Sequence, residues 1–189
     1  MESFLPNRRI KKWLTDVTEF KYYEGPEIHK VYLSAILDLY DRRIVSYVIS
    51  DTNDLNLAFD TFDQAIETEP EVHPLFHSDR GFQYTHQNFY KRIVEAGMTQ
   101  SMSRVGKCID NGPMEGFWGM IKREKYYSKK FTSRTELVAM IENYMDYYNN
   151  GRYQRKFGMA TLFLTKIIRC CECCGVMAPI ALDNEHPRI

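Results

Sequence analysis

Three acidic side chains lie where predicted strands and helices begin or end. Asp16 falls inside a strand-like segment, Asp79 ends the apolar segment 74–79, and Glu115 lies in the first turn of a predicted helix, with 35 residues between Asp79 and Glu115. Carboxylates that converge on one point repel each other unless cations hold them. Oxygen ligands suit Mg²⁺ or Mn²⁺, and two such ions about 4 Å apart can clamp the attacking and leaving oxygens of a phosphodiester. The three residues are therefore candidates for a metal-dependent phosphoryl-transfer site.

Spacing alone does not show convergence, so other interpretations of these residues stay open. Four further aspartates compete for the same role: Asp38, Asp41, Asp51 and Asp110. His77 beside Ser78 and Asp79 suggests a Ser/His/Asp triad, but neighbours on one strand point to opposite faces and cannot form one. We interpret His77 as a hydrogen-bonded histidine beside the core, with a supporting contact to the metal site as the alternative. Phe82 and Tyr84 are expected to pack rather than to stack on bases.

The elements that would position these residues are short strands alternating with helices. The segment 13–20 and two strands within 31–50, turning at Asp41-Arg42, predict an antiparallel meander. The remaining predicted elements are helices over 54–68, 86–97, 113–124 and from about Ser133, and short strands over 74–79 and 99–103.

The predicted helix over 113–124 has two different faces. Its buried stripe is predicted to comprise Met114, Phe117, Trp118 and Ile121. Glu115, Gly119 and Lys122 lie on another face, where Gly119 leaves the backbone open to close approach. Glu115 and Lys122 are two turns apart, on the order of 10 Å, which is too far for a simple salt bridge. By itself this face also fits an ordinary solvated surface.

Charge is balanced overall but unevenly distributed. The chain has 25 basic and 25 acidic residues, with eight acidic and no basic residues from 44 to 79, and eleven basic against six acidic residues from 104 to 156. The basic half is suited to a polyanion. No apolar run is long enough for a membrane helix, and MESFLPNRRIKK lacks the apolar core of a secretory signal. We therefore expect a cytoplasmic protein without a membrane partner.

Five blocks carry a family resemblance, in this order: WLTDVTEF, VYLSAILDLYDRRIVSY, HSDRGFQY, QSMSRVGKCIDNGPMEGFWGMIKRE and YMDYYNNGRYQ. Together they resemble the integrase core of bacterial insertion-sequence transposases, in the branch made from two overlapping reading frames joined by frameshifting. The resemblance covers roughly residues 12 to 157. It implies an α/β, ribonuclease H-like fold, in which a mixed sheet of an antiparallel meander plus parallel strands is flanked by helices.

The resemblance also implies an activity and a site. Asp16, Asp79 and Glu115 match the catalytic D,D-35-E triad, which would bind Mg²⁺ or Mn²⁺, as two ions. The implied reaction is cleavage at transposon ends and joining of the freed 3′-hydroxyl to target DNA, which requires neither a covalent enzyme intermediate nor a nucleotide cofactor. Lys122, seven residues after the glutamate, matches a position where the superfamily often has a basic residue that touches DNA.

The expected partner is double-stranded DNA, both transposon ends and target, bound by a homo-oligomer at the nucleoid. Candidates for phosphate contact are Arg104, Lys107, Lys122, Arg123, Lys125, Lys129, Lys130, Arg152 and Arg155. Each of these side chains could also be an ordinary surface charge.

The expected organisation is a linker remnant over 1–11, the catalytic core over 12–157 and an atypical tail over 158–189. The helical domains that recognise transposon ends in relatives are expected to be absent, which predicts sequence-indifferent binding. The tail contains CCECC (170–174), which we interpret as an incidental thiol cluster, with an intermolecular metal site as the alternative. Two further functions stay open: a catalytically inactive remnant that binds DNA or assembles with full-length relatives, and a stand-alone nuclease of the same fold.

Overall fold

The computed structural model of the 189-residue chain describes residues 12–103, 111–154 and 160–161. Its strands are β1 Lys12–Glu24, β2 Glu27–Asp38, β3 Ile44–Ser50, β4 Leu75–Ser78, β5 Thr99–Met102, β6 Tyr153–Gln154 and β7 Ala160–Thr161. Its helices are α1 Leu55–Thr68, α2 Phe82–Thr85, α3 Gln87–Glu95, α4 Gly112–Ile121 and α5 Arg134–Asp146. A π-helical turn extends α4 over Lys122–Tyr126, and another extends α5 over Tyr147–Gly151.

The main sheet has five strands in the order β3-β2-β1-β4-β5. The first three strands form an antiparallel meander, whereas β4 pairs with β1, and β5 with β4, in parallel. The predicted mixed sheet is thus confirmed, and so are the strands and the longer helices, with boundaries that shift by a few residues. A second, two-stranded sheet joins β6 to β7.

The first hairpin is longer than the predicted segment 13–20. β1 continues to Glu24 and stays in register with β2 along its whole length, from Trp13 opposite Asp38 to Glu24 opposite Glu27. Gly25 closes the hairpin at φ +60°, a conformation that side chains other than glycine rarely adopt. The parallel partner β4 reaches only the first residues of β1, because β4 pairs with Lys12 through Leu14. Most of the outer edge of β1 is therefore left unpaired by β4.

Alternation along β1 divides the core between the two faces of the sheet. Even-numbered Leu14, Phe20 and Tyr22 pack against the apolar sides of α4 and α5. On the opposite face, Trp13 packs against residues of α1, β4 and α3. The predicted stripe of α4 is buried as expected, and so are Leu137, Ile141, Tyr144 and Tyr148 of the last helix, with Met140 partly buried against them.

Candidate functional site

Sheet register brings the first two candidate carboxylates to neighbouring strand positions. Leu14 of β1 pairs with His77 of β4, so that Asp16, two residues farther along β1, points to the same face of the sheet as Leu14, and Asp79 directly follows the end of the neighbouring strand β4. That face carries α4, whose first turn contains Glu115. The predicted placements, Asp16 within a strand, Asp79 at a strand end and Glu115 in a first helical turn, are all found.

The pKa of Asp16 responds to its burial and to the charges of the other two carboxylates. The pKa of Asp16 is raised to about 6, chiefly by burial and further by the negative charges of Asp79 and Glu115, although two hydrogen bonds oppose the rise. As the side chains stand, no group of three or more His, Cys, Asp or Glu in the described part of the chain is arranged to hold a metal ion. The carboxylates are thus neighbours without forming a closed ligand shell.

Two donors hold the carboxylate of Asp16. Its Oδ1 accepts a hydrogen bond from the backbone N–H of Val17 at 2.8 Å, and its Oδ2 accepts one from the indole Nε1–H of Trp118 at 3.1 Å. Sequence reasoning placed Trp118 in the buried stripe, which is correct, but missed this second role. The available signal is that a buried tryptophan N–H needs a partner, and Trp118 lies one helical turn after Glu115.

Asp79 is held by the turn that follows β4. Its Oδ1 accepts from the backbone N–H of Gly81 at 2.8 Å. A Cβ built on Gly81 would lie 2.9 Å from Oε1 of Gln83 and 3.0 Å from Oδ1 of Asp79, so a side chain at this position would displace one of these two groups. Gly81 therefore keeps the backbone close to the carboxylate.

Asn111 fastens the start of α4 to the same strand. Although it occupies the N-cap position, its side chain makes no capping hydrogen bond. Instead, its Nδ2 donates to the backbone oxygen of Thr15 at 3.3 Å, next to Asp16. This contact positions the helix carrying Glu115 over β1.

Residues beneath the site belong to the core. His77 is buried, with Nδ1 3.0 Å from Oγ of Ser101 and Nε2 3.3 Å from Oγ of Ser103, as expected for a hydrogen-bonded core histidine. Tyr84 is buried as predicted, and its hydroxyl lies 3.2 Å from Oγ1 of Thr15. The packing prediction for Phe82 is wrong: the ring is 56% exposed because the short helix α2, which the sequence pattern does not predict, begins at this residue and turns it outward.

The competing aspartates have local partners where the structure describes them. Asp38 accepts from the backbone N–H of Tyr40, and Asp41 from that of Arg43. Asp51 forms an ion pair with Arg134 on the surface. Asp110 lies outside the described residues.

Basic side chains near the site differ in their bonding partners. Lys122 donates from Nζ to Oγ1 of Thr18 at 2.7 Å, and its pKa is lowered because desolvation outweighs the attraction of Glu19 and Asp16. Arg123 is exposed and donates from Nε to the backbone oxygen of Gly119, whereas Arg152 forms an ion pair with Glu124 at 2.8 Å. Arg104, Lys107, Arg155 and the cysteine cluster lie outside the described residues.

The surface beside Glu115 is open. A Cβ built on Gly112, Gly116 or Gly119 would meet nothing within 4 Å. A polymer can therefore approach the backbone of α4 closely along this side, as the glycine at position 119 suggested.

Comparison with known proteins agrees with this geometry. The sequence matches the family described as "Integrase core domain" over residues 6–108 and, in a second form of that family, over residues 96–161. It is 38% identical to the putative transposase InsK for insertion sequence element IS150 of Escherichia coli over 81% of this chain and 53% of that protein. It is 39% identical to an uncharacterized transposase-like protein of Haemophilus influenzae, over 81% of this chain and 69% of the relative. The chain thus spans about half the length of the Escherichia coli relative.

Solved structures share the fold at low sequence identity. The catalytic core domain of HTLV-2 integrase, solved in complex with magnesium, superposes with a TM-score of 0.61 at 21% identity, over 86% of this chain and 97% of that one. A chain of the simian T-cell lymphotropic virus intasome, solved in complex with PP2A regulatory subunit B56 gamma, gives 0.69 at 16% identity, over 100% of this chain and 60% of that one. No helix in the described ranges is long and apolar enough to cross a membrane.

The sequence matches show that the chain belongs to the integrase core domain family, in the branch of bacterial insertion-sequence transposases.

Proposed function

We propose that this domain is the catalytic core of a DNA transposase, which cleaves transposon ends and transfers the freed 3′-hydroxyl to target DNA. Asp16, Asp79 and Glu115 would bind Mg²⁺ or Mn²⁺, as two ions. The observation that supports the proposal is that three separate elements of a transposase-family fold supply the carboxylates: Asp16 lies on β1, Asp79 directly after β4 and Glu115 in the first turn of α4. The pKa of Asp16 is raised chiefly by burial and, to a smaller extent, by the charges of the other two.

The chemistry of the three side chains fits a divalent cation. They offer only oxygen ligands, which Mg²⁺ and Mn²⁺ prefer, and a cation would favour the ionised form of Asp16, which burial and, to a smaller extent, the charges of Asp79 and Glu115 oppose. Glu115 is exposed, and among the described residues no hydrogen bond or ion pair restrains its carboxylate. Its side chain can therefore reorient toward Asp16 and Asp79 when a cation binds.

Hydrogen bonds within the protein would orient the carboxylates of Asp16 and Asp79 before a cation binds. The N–H groups of Val17 and Trp118 fix both oxygens of Asp16, and the N–H of Gly81 fixes one oxygen of Asp79. When bound, the divalent ions would activate the attacking oxygen and stabilise the leaving oxygen. The glycine-lined side of α4 would admit the DNA backbone beside Glu115, and Lys122 and Arg123 would contact phosphates there.

Assembly on DNA is part of the proposal. The simian viral structure with a similar fold is an intasome, and this motivates the inference that copies of the present chain also assemble on double-stranded DNA. Arg152 is the weakest of the proposed phosphate contacts, because its guanidinium already pairs with Glu124.

The proposal is tested by metal-dependent nicking of supercoiled DNA with the complete 189-residue chain. Nicking should require Mn²⁺ or Mg²⁺, and Asp79→Asn or Glu115→Gln should reduce it to the level measured with EDTA. Asp60→Asn and Glu95→Gln are matched controls, since both residues are exposed on helices of the opposite face, and they should leave nicking unchanged. Undiminished nicking in Glu115→Gln would contradict the catalytic assignment.

A parallel calorimetric titration separates the inactive-remnant alternative. Mn²⁺ should bind to the wild type more tightly than to Asp79→Asn. If Mn²⁺ binds in this way but no nicking or strand transfer occurs under any condition, the chain would be a metal-binding assembly partner rather than an active transposase core.

A further inference from the structure

A cleft of about 460 Å³ opens at the outer edge of β1, away from the three carboxylates. Lys21 and Tyr23 of β1 form one wall, and the connector 126–131, which leads from α4 toward α5, forms the other. The cleft exists because β4 leaves this part of the edge unpaired. The connector runs along the edge instead, so the walls consist of residues far apart in sequence.

Hydrogen bonds hold the two walls together. The backbone N–H of Tyr23 donates to the backbone oxygen of Phe131 at 2.9 Å. The hydroxyl of Tyr126 accepts from the backbone N–H of Lys21 at 2.9 Å and donates to its backbone oxygen at 3.1 Å. The rings of Tyr126 and Phe131 stack with an interplanar angle of 5°. The cleft is therefore bounded by fixed backbone and packed rings.

The charge of the lining is positive. Three of its residues are lysines, and none is acidic; the full lining is Lys21, Tyr23, Tyr126, Tyr127, Ser128, Lys129, Lys130 and Phe131. Lys130 lies with Nζ 4.7 Å from the ring centre of Tyr23, and no carboxylate in the described part of the chain pairs with it.

The other two lysines are only partly neutralised. Nζ of Lys21 is 3.6 Å from Glu19, whose second carboxylate oxygen is held more closely by Lys30 at 3.0 Å. Lys129 forms an ion pair with Glu136. At least one full positive charge, on Lys130, and part of another, on Lys21, thus face the cleft without compensation.

The rim of the cleft also offers aromatic and hydroxyl groups. Tyr127 is 70% exposed, which is unusual for so large a ring, and Ser128 follows it. A ring beside ammonium and hydroxyl donors matches a chain of sugars and phosphates, since the ring can contact a sugar while the donors bind phosphate oxygens. The cleft is therefore suited to a sugar-phosphate backbone.

The position of the cleft relates it to the carboxylate site. Lys21 lies five residues beyond Asp16 on the same strand, a span of about 17 Å. Lys122 lies between them, anchored to Thr18. Because successive phosphates of one DNA strand advance by about 3.4 Å along the helix axis, a span of about 17 Å corresponds to about five base pairs. Because positions 16 and 21 differ in parity, the side chains of Asp16 and Lys21 leave opposite faces of β1, and duplex DNA that reaches both the site and the cleft would lie across the edge of the strand.

We propose that this cleft binds the backbone of duplex DNA about five base pairs from the phosphodiester at the carboxylate site. The anchor supplies affinity and alignment but no base recognition, because its groups contact only phosphate and sugar. The inference rests on the proposed function for the position of the reacting phosphodiester, whereas DNA binding in the cleft can be measured without catalysis.

The first test measures lysine protection. The complete chain is treated with an amine-acylating reagent in EDTA, with and without a duplex of three helical turns, and modification is quantified by mass spectrometry. Lys21 and Lys130 should become less reactive with DNA, and high salt should restore their reactivity. Lys91, which is exposed on α3 and does not line the cleft, should not change. Unchanged reactivity of Lys21 and Lys130 while the DNA is bound would overturn the proposal.

The second test measures how binding depends on salt. Lys21→Ala and Lys130→Ala should each reduce the slope of log affinity against log salt by about one, whereas Lys91→Ala should keep the wild-type slope. Wild-type slopes in both cleft variants would refute the anchor. If the slopes fall as expected but the wild type never nicks DNA, the proposed catalysis fails while the DNA anchor stands. If Lys21→Ala and Lys130→Ala weaken binding to single-stranded DNA only, the assignment of the cleft to duplex DNA is overturned.

Discussion

Asp16 is the residue of the site whose ionisation is opposed most clearly by its surroundings. It lies half-buried on β1, and its two oxygens already accept hydrogen bonds from Val17 and Trp118. Even so, burial and the neighbouring Asp79 and Glu115 raise its pKa to about 6. The metal-free protein therefore retains an arrangement that opposes ionisation, as expected where geometry serves cation binding rather than stability.

Asp16→Asn should stabilise the metal-free protein at neutral pH. A carboxyl with a raised pKa in the folded state favours folding most below its unfolded pKa of about 3.8, and that contribution is lost as pH rises through about 6. The amide of the variant has a single acceptor oxygen, so one of the two hydrogen bonds is lost at every pH, and near pH 4 we expect the variant to be less stable than the wild type by about 1 kcal/mol. Above pH 6 the removed charge outweighs this loss, and we expect the variant to exceed the wild type by on the order of 1–2 kcal/mol in free energy of unfolding. Urea unfolding in EDTA at both pH values measures this difference.

Addition of Mn²⁺ provides the complementary measurement. The cation should raise the melting temperature of the wild type more than that of Asp16→Asn, because only the folded wild type offers the complete set of carboxylates. If the variant is no more stable than the wild type at pH 7.5, the proposed cost of ionising Asp16 is contradicted. If Mn²⁺ raises both melting temperatures equally, the proposed cation binding by Asp16 is contradicted.

At the scale of elements, the helix carrying Glu115 is held in place at both ends. Asn111 connects the start of α4 to β1. Glu124 lies in the π-helical turn that extends α4, and its carboxylate binds Tyr144 and Arg152. Oε2 of Glu124 accepts from the hydroxyl of Tyr144 at 2.9 Å, and Oε1 accepts from Arg152 at 2.8 Å. This cluster gives the block YMDYYNNGRYQ a structural role, because it connects α5 and the following segment to α4.

Tyr144→Phe tests the role of this cluster. The hydroxyl is lost while the buried ring is kept, so we expect a loss of about 1 kcal/mol in free energy of unfolding. Burial opposes ionisation of Glu124, but the hydrogen bonds from Arg152 and Tyr144 outweigh it and lower its pKa. The stabilisation should therefore be present at neutral pH and shrink as pH falls toward the acidic range.

Chemical unfolding at two pH values measures the effect, and Tyr147→Phe serves as a matched control because that ring is 44% exposed. Equal free energies of unfolding for Tyr144→Phe and the wild type at pH 7 would show that the hydrogen bond from Tyr144 to Glu124 contributes nothing to stability.

At the scale of the whole molecule, two apolar clusters on opposite faces of one sheet account for the described core. Their buried members run from Trp13 to Tyr148. β7, at residues 160–161, still pairs with β6, so the described architecture extends slightly past the predicted core boundary at residue 157. The division of the chain into linker, core and tail stays a prediction.

Truncation after residue 161 should therefore preserve the fold. Since both clusters and the β6-β7 pair are retained, we expect the melting temperature to change by only a few degrees and unfolding to remain cooperative. Calorimetry of the truncated and complete chains compares them. A drop of many degrees would show that the last residues form an integral element, against the prediction for the tail.

The sequence by itself predicted the longer elements and selected the three carboxylates as candidates for the site. Alternation and helical periodicity are local properties, so they predicted the meander, the two further short strands and the stripes of α4 and α5, whereas the parallel pairing was implied only by the family resemblance. The five motif blocks predicted the family. These features depend on residues close together in the chain, which is why they could be found without coordinates.

Only the tertiary structure decided how those residues meet. The parallel register of β1 and β4, the bond from Trp118 to Asp16 and the cleft between Lys21 and the connector all join residues distant in sequence. The exposed ring of Phe82 follows from a four-residue helix too short to leave a periodic pattern. Contacts of this kind arise from packing across the sheet, and no local pattern records them.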